Sequence, residues 1–576
     1  MTSRLFDPAI LEEAKSLFPY EEARSEQLET IAEIVTNFRN GTKHQILEAP
    51  TGAGKSIIAL VVGQMMKTSF YLTSSKMLQS QIANEFGIDN GSLQQIIADL
   101  KGRNAYDCNF YDIHGEALVL AGKLRPERLK ELQMAPRDCG STSHCRKHLG
   151  RAKCRQCFPP QNGPTGDWHA QFGNVDTTCQ YYSKVFDAVR SPHVLLNYHS
   201  FLFQTSFTEN FMHKKGLMIL DEAHNAYKVI LDFVQVTLIQ DMIDEEIPVF
   251  EEATEYAEWA LENDLPNKLA AAAQEAFDKR KIDESEKLLE MSNRLNIFIY
   301  SASDGHDWIR VLNMDSERRN KIASVVLKPV MASDFTDRYY FNKADHFLHM
   351  SATILSSKLF AKNLGIKDFK YTRMNCDFPI KNRTIYLHNS YKASGGKGKQ
   401  HEWEPKLIKA VDTILQYHPE ERGIIHTHNF SISKAILDKT KFKSRFLSQL
   451  DFRSKEEMLQ AHSEKKASVI VAPAMHEGID LKDDLSRFQI IAKCPYPNPY
   501  EDEQLARLIK HFEIEGMWDY ITALKLVQSA GRSVRHKNDW AKTYIIDGVA
   551  CDFITSKGKK FIPPWFSEAV KKIGGK

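Results

Sequence analysis

Short, nearly continuous apolar runs alternate along the chain with longer amphipathic stretches, the pattern of parallel strands covered by helices. The first run, 44–49 (HQILEA), reads as a buried strand. A turn over Pro50 to Gly54 follows, and then 56–67 (SIIALVVGQMMK), which has helical length and apolar content. Residues 69–73 (SFYLT) predict a second strand and about 76–86 a second helix. Strands are predicted again at 193–197 (HVLLN), 216–220 (GLMIL), 323–328 and 346–350. Between 101 and 180 the periodicity fades and Cys, Gly, Pro and basic residues accumulate. A structureless stretch of that length is unusual inside a compact domain, so it reads as a small insert with its own organising element. Residues 226–300 are strongly helical, with only two prolines. Around Asp377-Phe378-Pro379 lies a boundary, after which strands at 384–387, 423–427, 468–472, 488–492 and 543–546 alternate with helices as a second α/β domain.

Composition changes this picture little. Of 576 residues, 42% are hydrophobic and 26% charged, the balance of an ordinary globular protein with several cores. The formal net charge of +2 gives no support for a polyanion partner and does not exclude one, because binding depends on where charge lies. No apolar run approaches the roughly 20 residues that span a bilayer, and the first residues lack a secretory pattern. The expectation is an intracellular, cytoplasmic protein without membrane contact, in which free thiols or metal ligands outnumber disulfides.

The candidate chemistry begins at Ala49-Pro50-Thr51-Gly52-Ala53-Gly54-Lys55-Ser56. Strand, glycine turn and helix are the context of a phosphate-binding loop, with Ala49 in place of the usual first glycine. Backbone N–H groups from Gly52 to Lys55 are suited to phosphate oxygens, Lys55 to the β- and γ-phosphates, and Ser56 to Mg²⁺. Asp221 ends an apolar strand, where open parallel sheets bind ligands, and is expected to hold the same cation. Glu222 beside it is placed to polarise an attacking water. Gln528-Ser529-Ala530-Gly531-Arg532-Ser533-Val534-Arg535 offers Arg532 and Arg535, three apart and on one helical face, as charge stabilisers from the second domain.

These motifs, in this order, resemble those of superfamily 2 helicases, and the details resemble the XPD/DinG branch. Residues 20–28 (YEEARSEQL) are similar to the adenine-side motif, with Arg24 and Gln27 as its contacts. Asp221 to Asn225 (DEAHN) carries the branch's Asn, and Met350 to Leu355 (MSATIL) looks like the motif that couples ATPase to strand movement. Residues 423–428 (GIIHTH), Glu477 to Leu481 with Gly478 and Asp480 at the nucleotide, Lys493 to Pro499, and Gln528 to Arg535 look like the motifs of the second motor domain. The resemblance implies two RecA-like motor domains. It divides the chain into 1–100, 181–225 and 319–380 for the first motor, 101–180 for a cysteine-rich insert, 226–318 for a helical arch-like insert and 381–576 for the second motor. It implies a monomeric, Mg-ATP-driven, DNA-associated 5′-to-3′ helicase acting on single-stranded DNA, forked or tailed duplex, and DNA–RNA hybrid. Two other readings are a nucleoprotein remodeller and an RNA helicase.

Six of the nine cysteines fall in the insert: Cys108-x30-Cys139-x5-Cys145-x8-Cys154-x2-Cys157-x21-Cys179. The resemblance implies a [4Fe–4S] cluster, with Cys108 and Cys179 as first and last ligands. Two of Cys139, Cys145, Cys154 and Cys157 complete it, and the spacing does not choose between them. The middle four also suit a structural zinc site, with His144 and His148 as spare ligands. The same resemblance calls for a strand path over Thr73, Ser74, Lys76, Asn197, Tyr198, His199, His426 to Asn429, and Met475 to Glu477.

Overall fold

The computed structural model describes residues 5–88, 96–107, 115–116, 119–122, 125–134, 180–208, 210–279, 281–315, 321–392, 400–473, 481–500, 502–534 and 536–573. Five strands open the first sheet: β1 (His44–Glu48), β2 (Ser69–Thr73), β3 (Ala98–Asp99), β4 (His193–Asn197) and β5 (Lys215–Asp221). The chain then leaves this sheet for β6 (Val236–Ile239), β7 (Trp308–Met314) and β8 (Ile322–Pro329), and returns for β9 (Ala344–Ser351) and β10 (Lys370–Arg373). The seven strands of this sheet are all parallel, in the order β10-β1-β9-β5-β2-β4-β3. Every residue of β1 and β2 is buried, which is why they read as unbroken apolar runs. Two apolar clusters cover the faces, one around Leu47, Ile58 and Ile219 and the other around Phe70, Leu196 and Met218.

A second seven-stranded parallel sheet follows: β11 (Ile385–Tyr391), β12 (Gly423–His426), β13 (Phe446–Ser448), β14 (Val469–Ala472), β15 (Phe488–Ile491), β16 (Lys542–Asp547) and β17 (Val570–Lys572). Its order is β13-β14-β12-β15-β16-β11-β17. The two-sheet α/β organisation expected from the pattern is therefore present.

The segment between β5 and β9 differs from expectation. It holds the helices Glu255–Glu262, Leu265–Asp278 and Ile282–Ser303, but also an antiparallel sheet, β6-β8-β7. The strand expected at 323–328 exists as β8, yet it pairs with β6 and β7 and not with the motor sheet. Alternation of buried and half-buried positions identifies a strand and does not name its partner. Among the described residues no helix is long and apolar enough to cross a membrane. The six cysteines of the 108–179 region lie outside the described residues.

Three buried histidines carry a stability consequence. His44 packs on His349 at 3.2 Å between ring nitrogens, His193 meets Ser69 Oγ at 3.0 Å, and His462 meets the Leu485 carbonyl at 2.7 Å and Ser468 Oγ at 2.9 Å. Burial pushes the pKa of each down to about 4. The folded chain keeps them neutral while the unfolded chain protonates them near pH 6.5. Their contribution is therefore complete above that pH and is lost as pH falls from about 6.5 towards 4. At pH 5 the loss is about 2 kcal/mol per group. Urea midpoints should fall markedly between pH 7.5 and pH 5; equal midpoints would contradict this account of the three side chains.

Candidate nucleotide and coupling site

The phosphate-type loop sits at the carboxyl end of β1, and the helix Lys55–Met65 springs from it. Gly52 and Gly54 adopt φ of 81° and 78°, a region that glycine enters without strain. At Gly54 space forbids a side chain as well, since a Cβ would lie 2.1 Å from Gln27 Nε2. Gln27 lies that close because its amide donates to the Ala53 carbonyl at 3.1 Å and its Oε1 accepts the Arg24 N–H at 2.7 Å. The Arg24 guanidinium donates to the Gly52 carbonyl. Arg24 and Gln27, expected at the adenine side, thus both touch the loop. Lys55 Nζ donates back to the Ala49 carbonyl at 3.3 Å, so its ammonium lies over the loop.

Asp221 is buried at the carboxyl end of β5. The Tyr71 hydroxyl donates to Asp221 Oδ2 at 3.3 Å and also hydrogen-bonds Ser56, so the Ser56 hydroxyl and the Asp221 carboxylate share one neighbour. The Tyr198 hydroxyl donates to the Asp221 carbonyl at 3.0 Å, and the Glu222 N–H donates to Asp221 Oδ1 at 2.9 Å. Burial, and then the adjacent Glu222 charge, push the Asp221 pKa up to about 7. A buried carboxylate beside a second carboxylate and a hydroxyl is a donor set that a hard divalent cation fits. Glu222 sits at φ 49°, its side chain 28% exposed. Burial works against its charge, but Lys55, His224, Arg532 and the Ser351 hydroxyl outweigh it and hold its pKa below the ordinary value.

From Glu222 a hydrogen-bonded chain runs into the second domain. Ser351 Oγ donates to Glu222 Oε2 at 3.2 Å and meets His224 Nδ1 at 2.8 Å. His224 Nε2 meets Gln528 Nε2 at 2.7 Å, and the same amide lies 3.5 Å from Thr353 Oγ1. Arg532 Nε donates to the Gln528 carbonyl at 3.1 Å. Pro50, Thr51, Glu222, His224, Gln528 and Arg532 line one cavity between the domains. Gln489 fastens the loop that carries Arg532, donating to the Ala530 carbonyl and to Thr543 Oγ1 and accepting from Ser533 Oγ. Arg535, Gly478 and Asp480 lie outside the described residues, as do Met475 and Glu477.

The expected strand path is partly wrong. Thr73, Tyr198, His426 and Thr427 are buried in the fold and cannot face a partner. Lys76 and His199 are exposed, and so is Phe430 at the start of the helix Phe430–Lys439. Tyr71 and Tyr198 were also missed as supports of Asp221; nothing in local spacing separates such a tyrosine from a core residue.

A helicase C-terminal domain family matches residues 418–568, and the family of the res subunit of type III restriction enzymes matches 21–117. The chain is similar to an ATP-dependent DNA helicase CHL1 of Scheffersomyces stipitis, 23% identical over 185 residues, or 28% of this chain and 22% of that protein. The corresponding protein of Candida albicans is 28% identical over 127 residues, 19% and 15% of the two chains. The aligned part thus spans about a fifth of these relatives' length. Among solved structures, one titled XPD helicase superposes with a TM-score of 0.58 at 15% identity, covering 96% of this chain and 100% of that one. The S. tokodaii Xpd4 structure gives 0.53 at 14% identity, with 96% and 100% covered. In fold the chain is XPD-like, and its sequence is similar to helicase and restriction-subunit domains over residues 418–568 and 21–117.

Proposed function

We propose that the protein is an ATP-dependent DNA helicase that moves 5′ to 3′ on single-stranded DNA and opens forked or tailed duplex and DNA–RNA hybrid. The observation that carries this reading is the chain Glu222–Ser351–His224–Gln528. A carboxylate placed for hydrolysis in one motor is hydrogen-bonded to the other, so events at the phosphate are felt across the cleft. An ATPase that only cleaved nucleotide needs no such connection. The named activity of the CHL1 relatives supports it.

In this mechanism the loop N–H groups hold the phosphates, and Lys55 neutralises charge on the β- and γ-phosphates. Ser56 and Asp221 hold Mg²⁺, which when bound supplies further neutralisation of the phosphate charge. Glu222 orients the attacking water and accepts its proton. Arg532, joined by Arg535, stabilises the transferring phosphoryl group from the second domain. Arg24 and Gln27 take the adenine side, with Gly478 and Asp480 facing the nucleotide from the second motor. Unwinding of 5′-tailed, 3′-tailed and hybrid substrates tests the reading. Opening of the 5′-tailed duplex alone supports the polarity, whereas ATP-driven displacement of bound protein without unwinding identifies a remodeller. RNA as the stronger stimulant identifies an RNA helicase.

The 101–180 segment is proposed to hold a [4Fe–4S] cluster on Cys108, Cys179 and two of Cys139, Cys145, Cys154 and Cys157. The segment 226–318 is proposed as the arch over the strand. Anaerobically purified protein should contain about four irons and four sulfides per chain with broad absorption near 400 nm, since each iron of such a cluster takes one thiolate. One zinc per chain without that absorption would identify a tetrahedral zinc site in its place.

A further inference from the structure

Glu48 lies one residue before the loop and is 3% exposed. Its carboxylate is the meeting point of three elements. Oε1 accepts the Leu355 N–H at 3.2 Å. Oε2 accepts the Tyr371 hydroxyl and, at 3.0 and 2.7 Å, both Nε and Nη2 of Arg373. The backbone locks the same place, for Glu48 pairs with Ser351 on β9 and with Arg373 on β10, and the Ala49 N–H donates to the Ser351 carbonyl at 3.0 Å.

The bond to Leu355 is the informative one. Leu355 has φ 59°, a left-handed conformation that costs a leucine about 1–2 kcal/mol. Such a residue persists where its surroundings over-determine it. Two things hold it here: the Glu48 carboxylate on its N–H and apolar packing of its side chain. Leu355 and Leu359 belong to a buried cluster whose other members include Met517, Tyr520, Ala523 and Leu524 of the helix Met517–Ala530. That helix carries Gln528, the residue bonded to His224, in its last turn. Glu48 itself is close enough to this helix to raise the Tyr520 pKa, after burial and Tyr227.

We propose that Glu48 is a positioning residue for inter-motor coupling: it ties the strand that carries the phosphate loop to the left-handed Leu355, and through Leu355 to the second-motor helix that presents Gln528. This rests on the helicase reading. The connection differs from the His224 relay in its side chains, running through the Glu48 carboxylate and Leu355; the two share Ser351, by backbone pairing, and the helix that carries Gln528. A shift of the loop strand is carried to the helix as a movement of Leu355, with the carboxylate as the joint.

The test compares ATP hydrolysis by the full chain with and without a single-stranded DNA oligonucleotide, for the unaltered protein, Glu48→Gln, Leu355→Gly and the double variant. Glu48→Gln keeps shape but has a single acceptor: with its oxygen on Arg373 and Tyr371, its NH2 faces the Leu355 N–H, donor to donor, and that tie is lost. Leu355→Gly accepts φ 59° without strain but removes the side chain that shares a buried apolar cluster with the second-motor helix. The proposal expects basal turnover and KM for ATP to stay within about twofold in each single variant, while stimulation by the strand falls about tenfold, the range of coupling energies. It also expects the double variant to lose no more than either single one. Equal loss of basal and stimulated turnover, full retention of stimulation in Glu48→Gln, or additive losses each overturn it. An unaltered protein whose hydrolysis the strand does not stimulate removes the helicase reading, and this role falls with it. Stimulation that survives Glu48→Gln removes this role alone.

Discussion

Lys55→Ala is expected to lower ATP turnover by about 100-fold or more, the cost of removing one preorganised donor from a developing phosphate charge. The effect is large because the alternatives are poor. Lys55 lies over the loop with its ammonium on the Ala49 carbonyl, and it is among the cations that hold the Glu222 charge. Its loss removes a phosphate contact and a neighbour of the general base together. The loop itself is set by Gly52, Gly54 and the Gln27 amide, none of which needs the lysine. Folding should therefore survive, with an unchanged melting temperature, and single-stranded DNA should still bind. Hydrolysis measured with saturating strand checks this; turnover within tenfold of the unaltered protein would place the phosphates elsewhere.

Glu222→Gln is expected to cost 10²–10⁴-fold in kcat, the usual contribution of a positioned general base, with little change in KM for ATP. The amide is isosteric and still accepts from Ser351, so the relay to Gln528 keeps its geometry. What disappears is the proton acceptor that Lys55, His224 and Arg532 hold ionised. Single-turnover hydrolysis separates this from slow product release. A normal burst rate in the variant would mean that another group takes the proton.

The two parallel sheets were readable in the sequence because central strands of such sheets are buried on both faces. Ten of their fourteen strands follow from apolar runs for that reason. The short strands that escaped are largely edges: β10 and β3 flank the first sheet, β13 and β17 the second. Their outer sides meet water, so Lys370, Arg373 and Lys572 dilute the apolar signal. β8 shows a different limit: its strand was readable, but a strand's period gives its faces and not its partner. At the site, the loop glycines and the strand-ending Asp221 were legible because local backbone geometry dictates them. The link from His224 to Gln528 was not, as it joins residues 304 apart in sequence. Glu48 escaped for a related reason: a lone acid at a strand end looks like a cap until Leu355, Tyr371 and Arg373 are seen to converge on it.

In the proposed mechanism two motor domains convert ATP hydrolysis into strand separation. Opening of a forked DNA duplex with a 5′ tail, followed with ATP, with a non-hydrolysable analogue and without nucleotide, tests it most directly. Separation that requires hydrolysable ATP and is lost in Glu222→Gln is the expected result. Strand-stimulated hydrolysis with no separation of any tailed duplex would contradict it.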